Sequence, residues 1–331
     1  MKKLFAAALS AYIIGVVWNY VFNYYLMPDF RFWTRCAEAS DHWAEQLRQS
    51  PQPCFVFAGG SETRTTVDPQ QLWDEYGIRA INAAEQAGYG GVCNVEVATP
   101  YLRTGDTLII SLSGYNLSAM PRKTGIRFAW NRMKCAMFED GMLSPTYRNL
   151  RTIIAGDSGS LALCVIKGLF SDEPVCHFER DAVIHPSGWM EVRMDDEWKR
   201  PPAGFSARQL HPLSSSALEG IQRLNAACRK KGSQLLLMVH LSHAAPEARA
   251  AEAFEALSAI QQGFRVLKDE RLGCETQGNL FAETANHQNA AGVRKHMHII
   301  GYALKHQLYW TEDELCEELR RMGWSKDGTR L

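Results

Sequence analysis

The sequence lacks an excess of charge of either sign. Its 36 lysine and arginine residues balance 36 aspartate and glutamate residues, and the formal net charge at pH 7 is zero. Such a chain offers no global attraction for nucleic acid or another polyanion, and we expect no nucleic-acid partner. Internal repeats and low-complexity segments are also lacking. The length of 331 residues allows one large domain or two of average size.

The nine cysteines include no CxxC pair and show no cysteine/histidine ligand spacing. A zinc site is therefore not indicated, and we expect neither a metal nor a cofactor. An extracytoplasmic location would allow some of the thiols to oxidise. Several of them, such as Cys54, Cys164 and Cys228, lie within apolar runs and are more simply interpreted as small buried hydrophobic residues.

Residues 4–27 contain no Asp, Glu, Lys, Arg or His and are long enough to cross a bilayer. A cleaved signal peptide is the competing interpretation. Its apolar core would be shorter and followed by a small-residue cleavage site, whereas this run continues into a tyrosine-rich end. Two leading lysines favour a cytoplasmic N-terminus. We therefore expect a single-pass anchor in the inner or plasma membrane, followed by an extracytoplasmic, periplasmic domain.

One face of this segment carries small or polar residues at helical spacing: Tyr12, Gly15, Asn19 and Asn23. Such a face in a membrane helix is typical of a helix–helix contact, with a second membrane protein or a second copy of the chain. The alternative is that these aromatic and amide groups lie at the outer membrane interface.

Short apolar segments alternate with helical ones through the rest of the chain. The strand candidates are residues 54–58, 78–82, 107–112, 234–241 and 264–268. Helix candidates begin at Pro69, at a capping box of Ser216 with Glu219, at Pro246, after His287, and at a capping box of Thr311 with Glu314. This alternation predicts an α/β fold: a three-layer, doubly wound, mostly parallel sheet.

The predicted organisation has three parts. Residues 1–27 form the anchor, residues 28–50 a helical juxtamembrane connector, and residues 51–331 the α/β domain. Within that domain, residues 171–212 read as an insertion over the sheet, with strand-like alternation around Pro186.

Two distant motifs carry the chemistry. Residues 54–64, CFVFAGGSETR, join an apolar strand to two glycines and then to Ser61. Residues 281–292, FAETANHQNAAG, supply His287 and, four residues earlier, Glu283. A serine hydroxyl becomes a useful nucleophile only beside a base, so an early serine and a late histidine can form a hydrolase pair. Glu283 is a candidate for orienting the imidazole.

These motifs, in this order and with strands between them, resemble the SGNH (GDSL-like) hydrolase superfamily. They look most like its membrane-anchored bacterial branch, whose members handle acyl groups on cell-surface glycans. The resemblance implies an SGNH/flavodoxin-like fold, with Ser61 as nucleophile and His287 as base. It also implies an oxyanion hole made by the N–H of Ser61, by Gly88 with Gly90 as the alternative, and by Asn116.

Two positions depart from the family pattern. The family usually has Asp three residues before the histidine, where this chain has Thr284, and Asp after the oxyanion asparagine, where it has Leu117. The resemblance covers about residues 53–308. It implies a serine esterase or O-acyltransferase, with acetyl as the acyl group and an envelope polysaccharide or other glycan, or an acylated small molecule, as substrate. A multi-spanning membrane acyltransferase is the implied partner. The departures leave a second hypothesis, an inactive scaffold or glycan-binding subunit.

A second serine motif, GDSGS at residues 156–160, is similar to the serine-protease sequence GDSGG. A chymotrypsin-like fold would require two β-barrels and a histidine motif upstream, yet only His42 precedes Ser158. We therefore favour Ser61 as the nucleophile.

Aromatic and histidine side chains near the predicted site have simpler interpretations as well. Trp189 and Trp198 could stack on a sugar ring, although packing of the insertion against the core is the commoner use of tryptophan. His240 and His243 follow a buried strand, and we interpret both as hydrogen-bonded structural histidines.

Overall fold

The computed structural model describes residues 3, 5, 6, 9, 10, 28–85, 98–112, 182–193, 210–282, 284 and 286–331. The chain divides into two compact units, Met1–Arg35 with Thr124–Asp181, and Cys36–Lys123 with Ala182–Leu331. The second unit contains all the strands described below.

The described helices and strands follow one another as α1 (Pro28–Leu47), β1 (Phe55–Ala58), α2 (Ser61–Thr66), α3 (Pro69–Tyr76), β2 (Ala80–Asn82), β3 (Thr107–Leu112), β4 (Ala182–Ile184), β5 (Met190–Val192), α4 (Ser215–Lys230), β6 (Gln234–Val239), β7 (Ser242–His243), α5 (Arg249–Gln261), β8 (Cys274–Glu275), α6 (Ala290–Lys305) and α7 (Glu312–Arg321). Short 3₁₀ turns occupy Thr99–Tyr101, Pro246–Ala248 and Gly278–Leu280.

The central sheet has four parallel strands in the order β2-β1-β3-β6. In its register, Phe57 lies opposite Asn82 on one side and Ile109 on the other. The sheet confirms the predicted α/β class with a mostly parallel arrangement. The fifth predicted strand, residues 264–268, is present only as isolated bridges, one of which joins Val266 to β6 in parallel.

Both faces of this sheet are covered by apolar side chains, since neighbouring strand residues enter different clusters. Val56 and Ala58 pack in one cluster with α4, α5 and α7. Phe57 packs in the other, which includes residues of α3 and α6. Burial on both faces explains why the strands read as continuous apolar runs rather than as alternating ones.

Helix ends agree with the sequence signals at some positions and differ at others. Thr311 and Glu314 form the predicted capping box at α7, and Gly77 ends α3 with a φ of 67°. At α4, however, the N-cap is Ser214, whose hydroxyl accepts the N–H of Ala217, so the predicted capping box at Ser216 is wrong. Serines occupy three consecutive positions there, and local pattern does not distinguish among them.

The end of α1 belongs to the core of the second unit. Ala44 and Leu47 are buried in the cluster that contains Val56, and the indole N–H of Trp43 donates to the carbonyl of Ala80 over 2.8 Å. The segment predicted as a connector thus contributes side chains to the α/β core.

A bilayer-spanning helix does not occur among the described residues, none of whose helices is both long and apolar enough. Only positions 5, 6, 9 and 10 of the predicted anchor, residues 4–27, are described. Its predicted polar face, Tyr12, Gly15, Asn19 and Asn23, lies outside the described residues.

Candidate active site

The candidate nucleophile follows the carboxyl end of β1. The chain turns at Gly59 and Gly60, and Ser61 is the first residue of α2. A side chain at position 59 would bring its Cβ within 2.2 Å of the Thr63 hydroxyl oxygen, so this close turn requires glycine. The N–H of Gly60 donates to the buried carboxylate of Glu62 over 2.9 Å. The turn therefore presents the serine hydroxyl at the edge of the sheet.

The candidate base lies in a short loop that is closed by backbone pairing. Phe281 and Gln288 form an antiparallel bridge, and the N–H of Ala282 donates to the carbonyl of His287 over 2.8 Å. The hydroxyl of Thr284 accepts the N–H of His287 over 3.1 Å. These bonds fix the backbone from which the imidazole projects.

The helix after this loop begins with an asparagine cap. The side-chain oxygen of Asn289 accepts the N–H groups of Ala291 and Gly292, over 3.1 and 3.0 Å. Its amide nitrogen donates to the carbonyl of Asn279 over 2.7 Å. The same side chain therefore ends the loop and begins α6, two residues after His287.

The two motifs meet in a direct contact. His287 Nε2 lies 2.9 Å from Ser61 Oγ, within the range expected between a nucleophile and its base. His287 is 6% exposed, and Ser61 is partly exposed. For the hydroxyl to donate to Nε2, the neutral ring must have its proton on Nδ1.

The peptide N–H of Ser61 has no hydrogen-bond acceptor within the described residues. The first N–H groups of a helix have no partner within that helix, which makes this one available to a developing oxyanion. The other predicted site residues, Glu283, Gly88, Gly90 and Asn116, lie outside the described residues, as does Ser158.

The residues just before positions 88 and 116 are described, and they show where the chain leaves the sheet towards these two positions. The N–H of Glu85 donates to the carbonyl of Gly59 over 3.0 Å, so the chain runs beside the nucleophile turn shortly before position 88. β3 pairs with β1 and ends at Leu112, four residues before position 116.

Asn82 is a supporting residue that the sequence interpretation missed. It is the last residue of β2 and fully buried. Its amide nitrogen donates to carbonyls of α2 and the residue after it, those of Thr63, Arg64 and Val67, over 2.8–3.3 Å. A polar residue at the end of an otherwise apolar strand was the available signal.

The described part of the insertion is a hairpin of β4 and β5, in agreement with the alternation around Pro186. Its Trp189 is 8% exposed, donates its indole N–H to the carbonyl of Thr65 over 2.8 Å, and stacks on His185. Packing against α2, rather than sugar stacking, thus accounts for this tryptophan. Trp198 lies outside the described residues.

A carboxylate on the hairpin is held by hydrogen bonds from neighbouring side chains. Burial opposes ionisation of Glu191, but hydrogen bonds from His185 and Arg193 lower the pKa of its carboxyl. Where the hairpin turn meets α3, burial raises the pKa of Asp68, whose carboxylate accepts the N–H of Gln70 over 2.9 Å.

The other histidines near the strand ends have their own partners. His240 Nδ1 lies 3.3 Å from the Ser111 hydroxyl, and His243 Nε2 lies 3.3 Å from the carbonyl of Thr276. These contacts agree with the structural interpretation of both residues.

A buried charge network lies beneath α6. Arg271 donates to the carboxylate of Asp269 and to His296 Nδ1. Burial, reinforced by the charge of Arg271, lowers the pKa of His296 to about 3. Although burial opposes ionisation of Asp269, hydrogen bonds from Arg271 lower the pKa of its carboxyl. His296 is therefore a neutral acceptor that helps to hold α6 to the segment after the sheet.

The cysteines of the described ranges are all buried: Cys36, Cys54, Cys228, Cys274 and Cys316. Burial raises the pKa of the Cys54 and Cys228 thiols, which agrees with their interpretation as small hydrophobic residues; Cys164 lies outside the described residues. Across the same ranges, no group of three or more His, Cys, Asp and Glu side chains is arranged to hold a metal ion.

Comparison with known proteins found no matching family model, no matching curated protein and no matching solved structure. The interpretation of the site therefore depends on its own residues, and above all on the contact between Ser61 and His287.

Proposed function

We propose that the chain is a serine esterase or O-acyltransferase. The observation that carries the proposal is the 2.9 Å contact between Ser61 Oγ and His287 Nε2. Acyl transfer through serine requires such a pair, with the hydroxyl accessible to substrate. The parallel strand order β2-β1-β3-β6 supports assignment to the doubly wound, SGNH/flavodoxin-like folds.

In the first half of the proposed reaction, Ser61 Oγ attacks the carbonyl carbon of an ester while His287 Nε2 takes the hydroxyl proton. The carbonyl oxygen becomes an oxyanion, which the N–H of Ser61 stabilises, together with Gly88 and Asn116 in our proposal. The tetrahedral intermediate then collapses, the carbon–oxygen bond to the alcohol breaks, and His287 protonates the departing alcohol. An acyl-serine remains.

In the second half, a hydroxyl group attacks the acyl-serine while His287 removes its proton. Water gives hydrolysis and a carboxylic acid, whereas an acceptor alcohol gives transfer and a new ester. The collapse of the second intermediate returns the proton to Ser61 Oγ. We assign Glu283 to orienting the imidazole during both halves.

The substrate follows from the family resemblance, and the location from the apolar segment at residues 4–27 and the lysines before it. We propose acetyl esters on an envelope polysaccharide or other glycan as substrate, residues 4–27 as a membrane anchor with the domain outside the cytoplasm, and a multi-spanning acyltransferase as partner. Protease treatment of intact spheroplasts tests the location. Digestion of the domain supports it, and protection until the membrane is permeabilised contradicts it.

Hydrolysis of an aryl acetate by the purified full-length chain tests the activity. The full chain is needed because α1 contributes buried residues to the core. We expect wild type and Ser158→Ala to be active and Ser61→Ala to lose about three orders of magnitude or more in kcat/KM. Equal rates for wild type and Ser61→Ala would contradict the proposal. No activity in any of the three would instead favour the inactive scaffold.

A further inference from the structure

The nucleophile helix carries a buried arginine whose side chain donates to several neighbouring segments. Arg64 lies three residues after Ser61 and is 1% exposed. Burying a guanidinium is costly unless its N–H groups find acceptors. The positions of those acceptors therefore determine where α2 can lie.

The acceptors of Arg64 come from three separate segments. Nη1 donates to the Ser40 hydroxyl of α1 over 2.6 Å, and to the carbonyls of Asn82 and Gly188 over 2.8 Å each. Nη2 donates to the carbonyl of Ala84. One side chain thus joins α2 to α1, to the chain after β2 and to the β4–β5 turn. Each of these acceptors is neutral, so the contact depends on the shape of the planar fork rather than on a partner charge.

The connection to β2 runs in both directions. While Arg64 donates to the backbone of Asn82, the Asn82 side chain donates to backbone carbonyls of Thr63, Arg64 and Val67. The Ser40 hydroxyl in turn lies 2.6 Å from the carbonyl of Asn82. This closed set of bonds leaves α2 little freedom to rotate or shift relative to the strand ends.

We propose that Arg64 is a positioning residue that holds Ser61 within hydrogen-bond reach of His287. The proposal rests on the function proposed above and adds a residue that does not touch the reacting atoms. The His287 loop is held independently by its own bridge and by the cap at Asn289. A shift of α2 therefore changes the distance between the serine and the base.

The chain supplies a matched control in Arg79. This buried arginine donates to the carbonyls of Leu47 and Ser50, and it precedes β2 instead of following it. Both arginines thus connect α1 with an end of β2. Arg64 does so at the carboxyl end of the strand and Arg79 at its amino end. If a general loss of packing lowers kcat, both lysine variants should show it. If a loss of positioning lowers kcat, only Arg64→Lys should show it.

The experiment compares full-length wild type, Arg64→Lys and Arg79→Lys by thermal unfolding, aryl acetate kinetics and hydrogen–deuterium exchange over residues 61–67. For Arg64→Lys we expect kcat to fall about 10- to 100-fold with KM nearly unchanged, because small displacements of reacting groups have effects of this size. Exchange over residues 61–67 should become faster. Arg79→Lys should lose comparable thermal stability while kcat stays within about twofold of wild type.

A folded Arg64→Lys with wild-type kcat, or an equal loss of kcat in Arg79→Lys, would overturn the proposal. Should Arg64→Lys fail to fold, Ser40→Ala removes only one acceptor and is expected to lower kcat about two- to tenfold; an unchanged kcat overturns the proposal equally. A wild-type chain without esterase activity counts against the proposed function alone. In that case the positioning role is tested by hydrogen–deuterium exchange alone. An exchange rate over residues 61–67 in Arg64→Lys equal to that of the wild type contradicts the role. If Arg64→Lys does not fold, the same comparison is made with Ser40→Ala.

Discussion

Ser61 and His287 are separated by 226 residues in sequence, yet Oγ of one lies 2.9 Å from Nε2 of the other. Two independent devices produce this contact. The glycine turn after β1 presents the serine, and the bridge between Phe281 and Gln288 presents the histidine. Because the two devices share no residue, each can be altered without removing the other.

Replacement of the base should abolish most of the activity while leaving the fold intact. His287→Gln keeps a polar side chain of similar length but cannot accept and return a proton in the reaction. We expect kcat/KM for an aryl acetate to fall by about three orders of magnitude or more. His298→Gln is the control, because His298 is an exposed histidine of α6. A comparable loss in His298→Gln, or none in His287→Gln, would contradict the assignment.

The cap at Asn289 should stabilise both the loop and α6. Asn289→Ala removes the acceptor of the N–H groups of Ala291 and Gly292, and should lower the free energy of unfolding by about 1 kcal/mol. Asn289→Asp keeps that acceptor and loses the bonds that the amide nitrogen donates to the carbonyls of Asn279 and Phe281. Chemical denaturation should therefore rank wild type, Asp and Ala in order of decreasing stability. Equal values for Asp and Ala would show that the cap acceptor contributes nothing.

The hairpin should lose its attachment to α2 when the indole N–H is removed. Trp189→Phe keeps an aromatic ring beside His185 but leaves the Thr65 carbonyl without that donor. We expect a loss of about 1–2 kcal/mol in the free energy of unfolding. Trp73→Phe, at a tryptophan that is 40% exposed, should change it by less than about 0.5 kcal/mol. Similar losses in both variants would contradict the packing role of Trp189.

Acid should destabilise the fold through His296. Its pKa is about 3 in the folded chain and about 6.5 when unfolded. The unfolded state therefore binds more protons between these values. The contribution of His296 to the free energy of unfolding is fully present above pH 6.5. It is lost, by at most about 1.4 kcal/mol per pH unit, as the pH falls towards 3.

The matching measurement is thermal unfolding of wild type and His296→Gln between pH 7 and 4.5. We expect a shallower acid-side slope in the variant, whose amide can still accept from Arg271 without titrating. The carboxyl pKa values of Asp269 and Glu275 are lowered in the folded chain. The contributions of these two groups to the stability of the fold are therefore lost at pH values below this window. An unchanged slope in His296→Gln would exclude this histidine as the source.

Much of the sheet and the central pair could be predicted because their signals are local. A parallel strand buried on both faces is a largely apolar run, as in residues 107–112 and 234–239. Two glycines after such a run indicate a sharp turn, and the serine that follows lies at the strand's carboxyl end. The pairing with His287 followed from motif order, and the contact between the two side chains agrees with it.

Other features depend on tertiary contacts that local pattern does not contain. Helix α2 was not predicted, because a six-residue helix is stabilised mainly by its surroundings, here the Asn82 and Arg64 bonds. The burial of Arg64 is also unexpected for an arginine, since its acceptors are three backbone carbonyls and one serine hydroxyl, which have no sequence signature. The fifth strand is reduced to bridges at Val266 and Leu267, although residues 264–268 have a suitable composition.

The assignment of Ser61 as nucleophile and His287 as its base is tested most directly by covalent labelling of the full-length chain with a fluorophosphonate, followed by mass spectrometric identification of the modified residue. With this assignment we expect modification of Ser61, none in Ser61→Ala, and strongly slowed labelling in His287→Gln, because the imidazole activates the hydroxyl. Modification of Ser158 instead of Ser61, or labelling of Ser61 at the wild-type rate in His287→Gln, would contradict it.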